Sequence, residues 1–418
     1  MNFEEMKNKL EKYGQEHVIA AYNRADEKTK EKLLNQIEKI DFSQLNELYE
    51  MTKKEIKFEN SKIEPMPYVD SAKLSEEEKK KYIEIGEKII CEGKLAVVTM
   101  AGGQGTRLGH NGPKGTFDIG LMSHKSLFEI LTDYLKEVHE KYNVTIPWYL
   151  MTSKDNNKDT VEFFENHEYF HYPKDGIRMF FKQGELPMLD EAGKVIINEE
   201  GIIKEAADGH GGIFEAMFKE GVLEDMKARG IQWIFIGSVD NPLVKMADPL
   251  FIGYAAYNNY MAASKTIVKA YPEEKVGVFC KKNGMPFVIE YTEISNEMAH
   301  QKDENGELIF GEAHMLLNLF NIQTLEKIKE VKLPYHSAHK KSNIVDESGN
   351  LIVPQEPNAY KFETFIFDAF SLIPEIGLFR GKREDDFAPV KNAQGIDSPE
   401  TARELYEDYE RRKASGNL

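Results

Sequence analysis

Met100-Ala101-Gly102-Gly103-Gln104-Gly105-Thr106-Arg107-Leu108-Gly109, followed by Pro113-Lys114, is the stretch whose reading decides the fold. Just upstream, Leu95-Ala96-Val97-Val98-Thr99-Met100 is a short apolar, partly β-branched run ending at glycines, the pattern of a buried strand that enters a sharp turn. Glycines lack a Cβ, so backbone N–H groups there can approach a ligand and form a concavity for an anion. Downstream, Ser126-Leu127-Phe128-Glu129 has capping-box spacing, and Leu127, Phe128, Leu131, Tyr134, Leu135 and Val138 recur on one helical face. The loop therefore joins a strand to a helix. Arg107 and Lys114 place two cations on it, which suits a polyphosphate; the plain alternative is a structural glycine turn. Two common phosphate cradles fail on spacing. The dinucleotide fingerprint needs a glycine where Leu108 stands, and the P-loop needs Gly-Lys-Ser/Thr where the chain has Pro113-Lys114-Gly115.

Outward from the loop, the chain from Cys91 onward alternates short apolar strands with amphipathic helices, the sequence form of βαβ units around a mainly parallel sheet. Expected strands are Leu95–Met100, Ile146–Thr152, Arg178–Phe181 and Ile231–Gly237, with helices at about 126–141, 157–167 and 213–228. Sheets of this kind bind ligands beyond the carboxyl ends of their strands. Residues 1–90 are rich in Glu, Lys, Leu and Ile and read as several helices, broken at 61–70 by Pro65 and Pro67. Gly14-Gln15-Glu16-His17 falls between two of them in a solvated or capping role. Further on, Val276–Lys281 and Pro286–Tyr291 read as a hairpin across Asn283-Gly284, and 312–331 as a helical stretch. The charged tail from Pro399 reads as a surface helix. The expected organisation is a helical region over 1–90, a catalytic domain over 91–375, and a short C-terminal segment over 376–418.

The chain has 418 residues and a net charge of -17, with an isoelectric point near 5.3. That balance argues against nucleic acid as a partner, since a phosphate backbone needs a positive face. A small phosphorylated substrate needs only a local cation cluster. Cys91 and Cys280 are too few for a disulfide framework or a four-cysteine zinc site. No apolar run reaches membrane-spanning length, and the N-terminus is charged where a secretory signal would be apolar, so a cytoplasmic protein with no membrane partner is expected.

Asp240 ends the apolar run Ile231–Val239 and is expected to project from a strand's carboxyl end toward the glycine loop. Magnesium is commonly held by one or two carboxylates plus phosphates and water, so one Asp can suffice; a turn-forming Asp is the plain alternative. The Gly-Gly-x-Gly-Thr-Arg-Leu-Gly and Pro-Lys pattern, together with Val239-Asp240-Asn241-Pro242-Leu243 and Ala247-Asp248-Pro249-Leu250-Phe251, resembles the UDP-sugar pyrophosphorylases, in particular their UDP-N-acetylhexosamine branch.

The resemblance implies a Rossmann-like α/β fold with a mixed, mainly parallel sheet of the nucleotide-diphospho-sugar transferase type, preceded by a helical region. It implies a uridylyltransferase that joins UTP and a sugar 1-phosphate, with N-acetylglucosamine 1-phosphate as the sugar and Mg2+ at Asp240. Nucleotide contacts fall on Ala101, Gly102, Gly103, Lys114, Gln183, Gly209, Asp240 and Lys361, and the catalytic cations are Arg107, Lys114 and Lys391. An amide at Gln183 suits the imide edge of uracil. Sugar contacts fall on His210, Gly277, Glu290 and His314, where the branch pattern has Asn in place of both histidines. Those departures keep UDP-glucose or broad UDP-sugar formation open as an alternative, and a nucleotide-sugar-binding regulator without turnover is the alternative of another class. Longer family members carry a small domain beyond the Lys391 motif, and subunit contacts made by it are not expected here.

Overall fold

Leu95–Met100 forms a strand buried along its whole length, and it lies in the middle of an 11-stranded sheet. The structure, a computed structural model, describes residues 1–53 and 61–416. The strands are β1 (Ile63–Pro65), β2 (Val69–Asp70), β3 (Leu95–Met100), β4 (Trp148–Thr152), β5 (Ile177–Lys182), β6 (Trp233–Ser238), β7 (Ala262–Val268), β8 (Val278–Lys282), β9 (Met285–Ile289), β10 (Glu312–Asn321) and β11 (Gly377–Arg380). Their order across the sheet is β2-β11-β7-β10-β6-β3-β4-β5, with β8, β9 and β1 added as an antiparallel extension. β3 pairs in parallel with both β4 and β6, and β7 with β11. β10 runs antiparallel between β6 and β7.

The helix Leu127–Tyr142 crosses from β3 to β4, with Ser126 accepting from Glu129 N at 3.2 Å at its start. Helix Asn157–Asn166 crosses from β4 to β5. The expected 213–228 helix is two helices, Gly212–Lys219 and Val222–Ala228, separated at Gly221, whose φ is +77°. The hairpin turns where expected, with Asn283 and Gly284 both at positive φ as a two-residue hairpin turn demands.

One expectation fails outright. Residues 312–321 are strand β10, and the helix that follows is confined to Ile322–Lys329. Met315-Leu316-Leu317 favours helix by intrinsic propensity, yet the segment pairs on both sides and is buried on both faces, so burial overrides propensity.

Contacts divide the chain into two compact units. The first comprises 1–60, 184–212 and 333–365; the second comprises 61–183, 213–332 and 366–418. This discontinuous division differs from the contiguous one expected at residues 90 and 375. The reason in the first unit is a shared core: Met6, Leu10, Val18, Leu33 and Ile37 of the N-terminal helices pack with Val195, Ile197, Ile203 and Phe362. Gln15 there is buried, donating to Gly193 O at 3.1 Å and accepting from Val195 N at 2.9 Å, so it joins two segments where a solvated or capping role is expected from the sequence. In the second unit, helix Glu76–Cys91 crosses helix Pro249–Tyr257 so closely that a Cβ on Gly86 or Gly253 would collide with the other helix's backbone. Among the described residues no helix is long and apolar enough to cross a membrane.

Candidate active site

β3, β4, β5 and β6 point the same way, so the residues that follow them gather at one edge of the sheet. The glycine loop leaves β3 there. Ala101 N still donates to Met151 O at 2.7 Å. Asn156, fully buried, donates from Nδ2 to Ala101 O at 2.9 Å and to Gly103 O at 3.2 Å, which turns those carbonyls inward. The loop closes on itself through Lys114 N to Gly103 O at 3.0 Å and Gly105 N to Gly112 O at 2.9 Å. His110 Nε2 meets Thr116 Oγ1 at 2.7 Å while that hydroxyl donates to Pro113 O, and a Cβ on Gly105 would come within 2.8 Å of the His110 side chain. Gln183, just past β5, sets its Oε1 where a Cβ on Gly102 would come within 2.9 Å. Arg107 is exposed on the single turn Thr106–Leu108.

Asp240 follows β6, two residues past Ser238. Lys114 Nζ donates to Asp240 Oδ2 at 3.2 Å, with the two side chains 17% and 20% exposed. Burial pushes the Asp240 carboxyl up, but the charges of Lys114 and Lys391 outweigh it and hold it below the usual carboxylate range. The site thus keeps an anion ready at neutral pH. Lys391 is paired with Asp397 at 3.5 Å, and its neighbour Val390 donates N–H to Asp240 O at 2.9 Å. Among the described residues no three Asp, Glu, His or Cys side chains converge as a metal site. One hard carboxylate beside a glycine loop nevertheless fits Mg2+, a cation commonly held by one or two carboxylates together with phosphates and water.

Further along the same edge, pairing of Val278 with Ile289 and with Ala313 brings Gly277, Glu290 and His314 together. His314 N donates to Gly277 O at 2.9 Å, and a Cβ on Gly277 would lie 3.2 Å from Glu290 Oε1. The His314 ring is edge-on to Phe279, Phe367 and Phe370, and its Nε2 lies 3.2 Å from Asn318 Oδ1. Asn318 Oδ1 also accepts from Ser264 Oγ at 2.9 Å, so the His314 nitrogen facing it is the protonated one. Burial pushes the imidazole down to about 4, against the Asn318 hydrogen bond, and it is neutral at physiological pH.

The other three site residues lie in the first unit. Gly209 has φ +86°, and a Cβ there would collide with Thr364 O. The turn is fastened by Gly211 N to Thr364 O at 2.9 Å and Thr364 N to Asp208 O at 2.7 Å. His210 packs on Phe365 with centroids 5.2 Å apart, and His336 packs on the same ring at 4.6 Å. Lys361 donates to Glu363 at 2.7 Å, and the Glu363 Cβ is 2.8 Å from where a Cβ on Gly209 would be. Asn156, His110 and Asn241 escaped the sequence reading. A buried polar side chain leaves no periodic signal, and only the Asn-Pro step at 241–242 hinted at a fixed turn.

The family model described as UTP–glucose-1-phosphate uridylyltransferase matches residues 40–397. The chain belongs to this family. Among members of the family, a probable UDP-N-acetylglucosamine pyrophosphorylase of Dictyostelium discoideum is 36% identical, over 96% of this chain and 86% of that protein. The UDP-N-acetylglucosamine pyrophosphorylase of Saccharomyces cerevisiae is 37% identical over 94% and 87%. The crystal structure of uridine diphosphate N-acetylglucosamine pyrophosphorylase from Trypanosoma brucei superposes with a TM-score of 0.79 at 30% identity, covering 95% of this chain and 83% of that one.

Proposed function

We propose that this protein transfers the uridylyl group of UTP to N-acetylglucosamine 1-phosphate, forming UDP-N-acetylglucosamine and releasing pyrophosphate. The observation that carries the reading is the Lys114–Asp240 pair beneath the glycine loop, with the Lys391 segment hydrogen-bonded to Asp240's own carbonyl. A phosphate oxygen of the sugar attacks the α-phosphorus, that new P–O bond forms, and the bond from the α-phosphorus to the bridging oxygen breaks. The electron pair leaves on pyrophosphate. No general base is required, because the attacking sugar phosphate is already an anion at neutral pH.

Such a transfer depends on positioning and charge neutralisation. Backbone N–H groups of Gly102 and Gly103, with Arg107 and Lys114, receive the departing pyrophosphate, while the Ala101 N–H stays committed to Met151 O and so is no donor to the nucleotide. Lys391 exchanges its Asp397 partner for phosphate oxygens, and Gln183 reads the base. Asp240 would hold Mg2+, which would supply charge neutralisation to the phosphates when bound. Gly277, Glu290 and neutral His314 line the sugar's side. Gly209, His210 and Lys361 take the base, sugar and phosphate roles that membership of the family suggests.

The test is a panel assay of UTP with the 1-phosphates of glucose, galactose, N-acetylglucosamine and N-acetylgalactosamine. The expected result is the highest kcat/KM for N-acetylglucosamine 1-phosphate, with pyrophosphate released stoichiometrically. UDP-sugar binding without pyrophosphate release from any of the four would overturn the reading.

A further inference from the structure

Lys391 sits on a segment with no regular structure of its own. After β11 the chain makes one short helix, Arg383–Asp386, and then runs through Phe387-Ala388-Pro389-Val390 to the lysine. What fixes that arm is the residue next to Asp240. Asn241, only 2% exposed, donates from Nδ2 to Asp386 O at 2.7 Å. Its Oδ1 accepts from Ala388 N at 3.0 Å and from Leu243 N at 3.2 Å. With Val390 N to Asp240 O at 2.9 Å, three hydrogen bonds tie 386–390 to 240–241. The task needs a donor and an acceptor on one short planar group. Aspartate lacks the donor and leucine lacks both.

The same arm has a second anchor. The buried Asp386 carboxylate is 2.9 Å from Lys265 Nζ and 3.5 Å from Lys245 Nζ. Lys265 belongs to β7 and also reaches Asp248 at 2.7 Å, whose carboxylate caps the helix Pro249–Tyr257. A Cβ on Gly381 would run into Asp386 Oδ2, so a larger residue there would displace that carboxylate. Pairing outweighs the desolvation of Lys265 and of Asp248, keeping the one protonated and the other ionised, and the network ties Asp386 to β7.

We infer that Asn241 is a positioning residue for uridylyl transfer, holding the Lys391 arm in register with Asp240 so that ammonium and carboxylate meet the same phosphate group. This rests on the roles given to Lys391 and Asp240 under the proposed function. The lysine supplies charge; Asn241 decides where it is supplied.

The experiment uses the full-length protein and compares Asn241→Ala and Asn241→Asp in wild-type and Lys391→Ala backgrounds, with melting temperatures and steady-state kinetics. Asn241→Ala is expected to lower kcat by about 100-fold, the cost of a misplacement near 1 Å, with KM for UTP nearly unchanged. Asn241→Asp, which keeps both accepted bonds and loses the donated one, should fall between. In the Lys391→Ala background the same substitutions should add little, because residues acting as a unit are not additive. Equal losses in both backgrounds would overturn the inference, as would a folded Asn241→Ala with normal kcat. If Asn241→Ala does not fold, Asn241→Asp carries the same comparison. Normal turnover in Lys391→Ala would remove the inference while leaving the activity standing. A wild-type protein inactive on all four sugar phosphates would remove the activity and the inference together.

Discussion

The two ends of the site in the second unit solve opposite problems. At the phosphate end, Lys114, Asp240 and Lys391 keep their charges within reach of water and against one another. At the sugar end, His314 is packed among phenylalanine edges and is uncharged. In the proposed reaction, charge is kept where the substrate would bring charge, and a neutral ring stands where it would bring hydroxyls or an amide. Under the proposed function, affinity for the nucleotide and choice of sugar would rest on different physics, electrostatics in one case and shape with single hydrogen bonds in the other.

The comparison breaks most directly at Lys114. Lys114→Ala should cost about two to four powers of ten in kcat, by analogy with the loss of one electrostatic donor at a transition state, while the preference among sugars stays the same. A near-normal rate in a pyrophosphate-release assay would remove the charge argument from this end.

The next effect belongs to the buried end and concerns stability. His314 has a folded pKa of about 4 against 6.5 for the free side chain. Between those values the unfolded chain binds a proton that the folded chain refuses, so stability is full above pH 6.5 and falls as the pH drops toward 4. The whole loss is about 3 kcal/mol. His314→Asn should therefore show a smaller drop in melting temperature between pH 7 and pH 5 than the wild type, and equal drops would place the titrating group elsewhere.

Asp240→Asn should raise the magnesium concentration needed for half-maximal rate by at least about tenfold, since a ligand oxygen and its charge are both lost. Unchanged metal dependence would separate Asp240 from the cation. The smallest effect sharpens the sugar end: His314→Asn should shift the kcat/KM ratio of N-acetylglucosamine 1-phosphate to glucose 1-phosphate by roughly tenfold or less, the range of single pocket contacts. KM for UTP should hold, and a change there instead would mean that the two ends are not independent.

Much of this was readable from local pattern. Leu95–Met100 had to be a buried strand, the glycines after it had to be a turn, and Lys114 could be picked out because it follows a proline in a spacing shared with a family. The strand β10 could not be read, because a segment buried on both faces shows no alternation and Met-Leu-Leu favours helix. Asn156 and Asn241 were invisible for another reason. Each is an ordinary polar residue until partners from distant segments arrive, Ala101 and Gly103 for one, Asp386 and Ala388 for the other.

The sequence by itself determined the α/β class, the glycine loop after β3 and the cations placed on it, because those depend on neighbours within a few positions along the chain. The tertiary structure alone decided that the N-terminal helices share a core with 184–212 and 333–365, that His314 is dry and neutral, and that Lys391 is placed by Asn241. Each of these turns on which distant groups exclude water from, or donate a hydrogen bond to, a given atom, and periodicity carries no record of that.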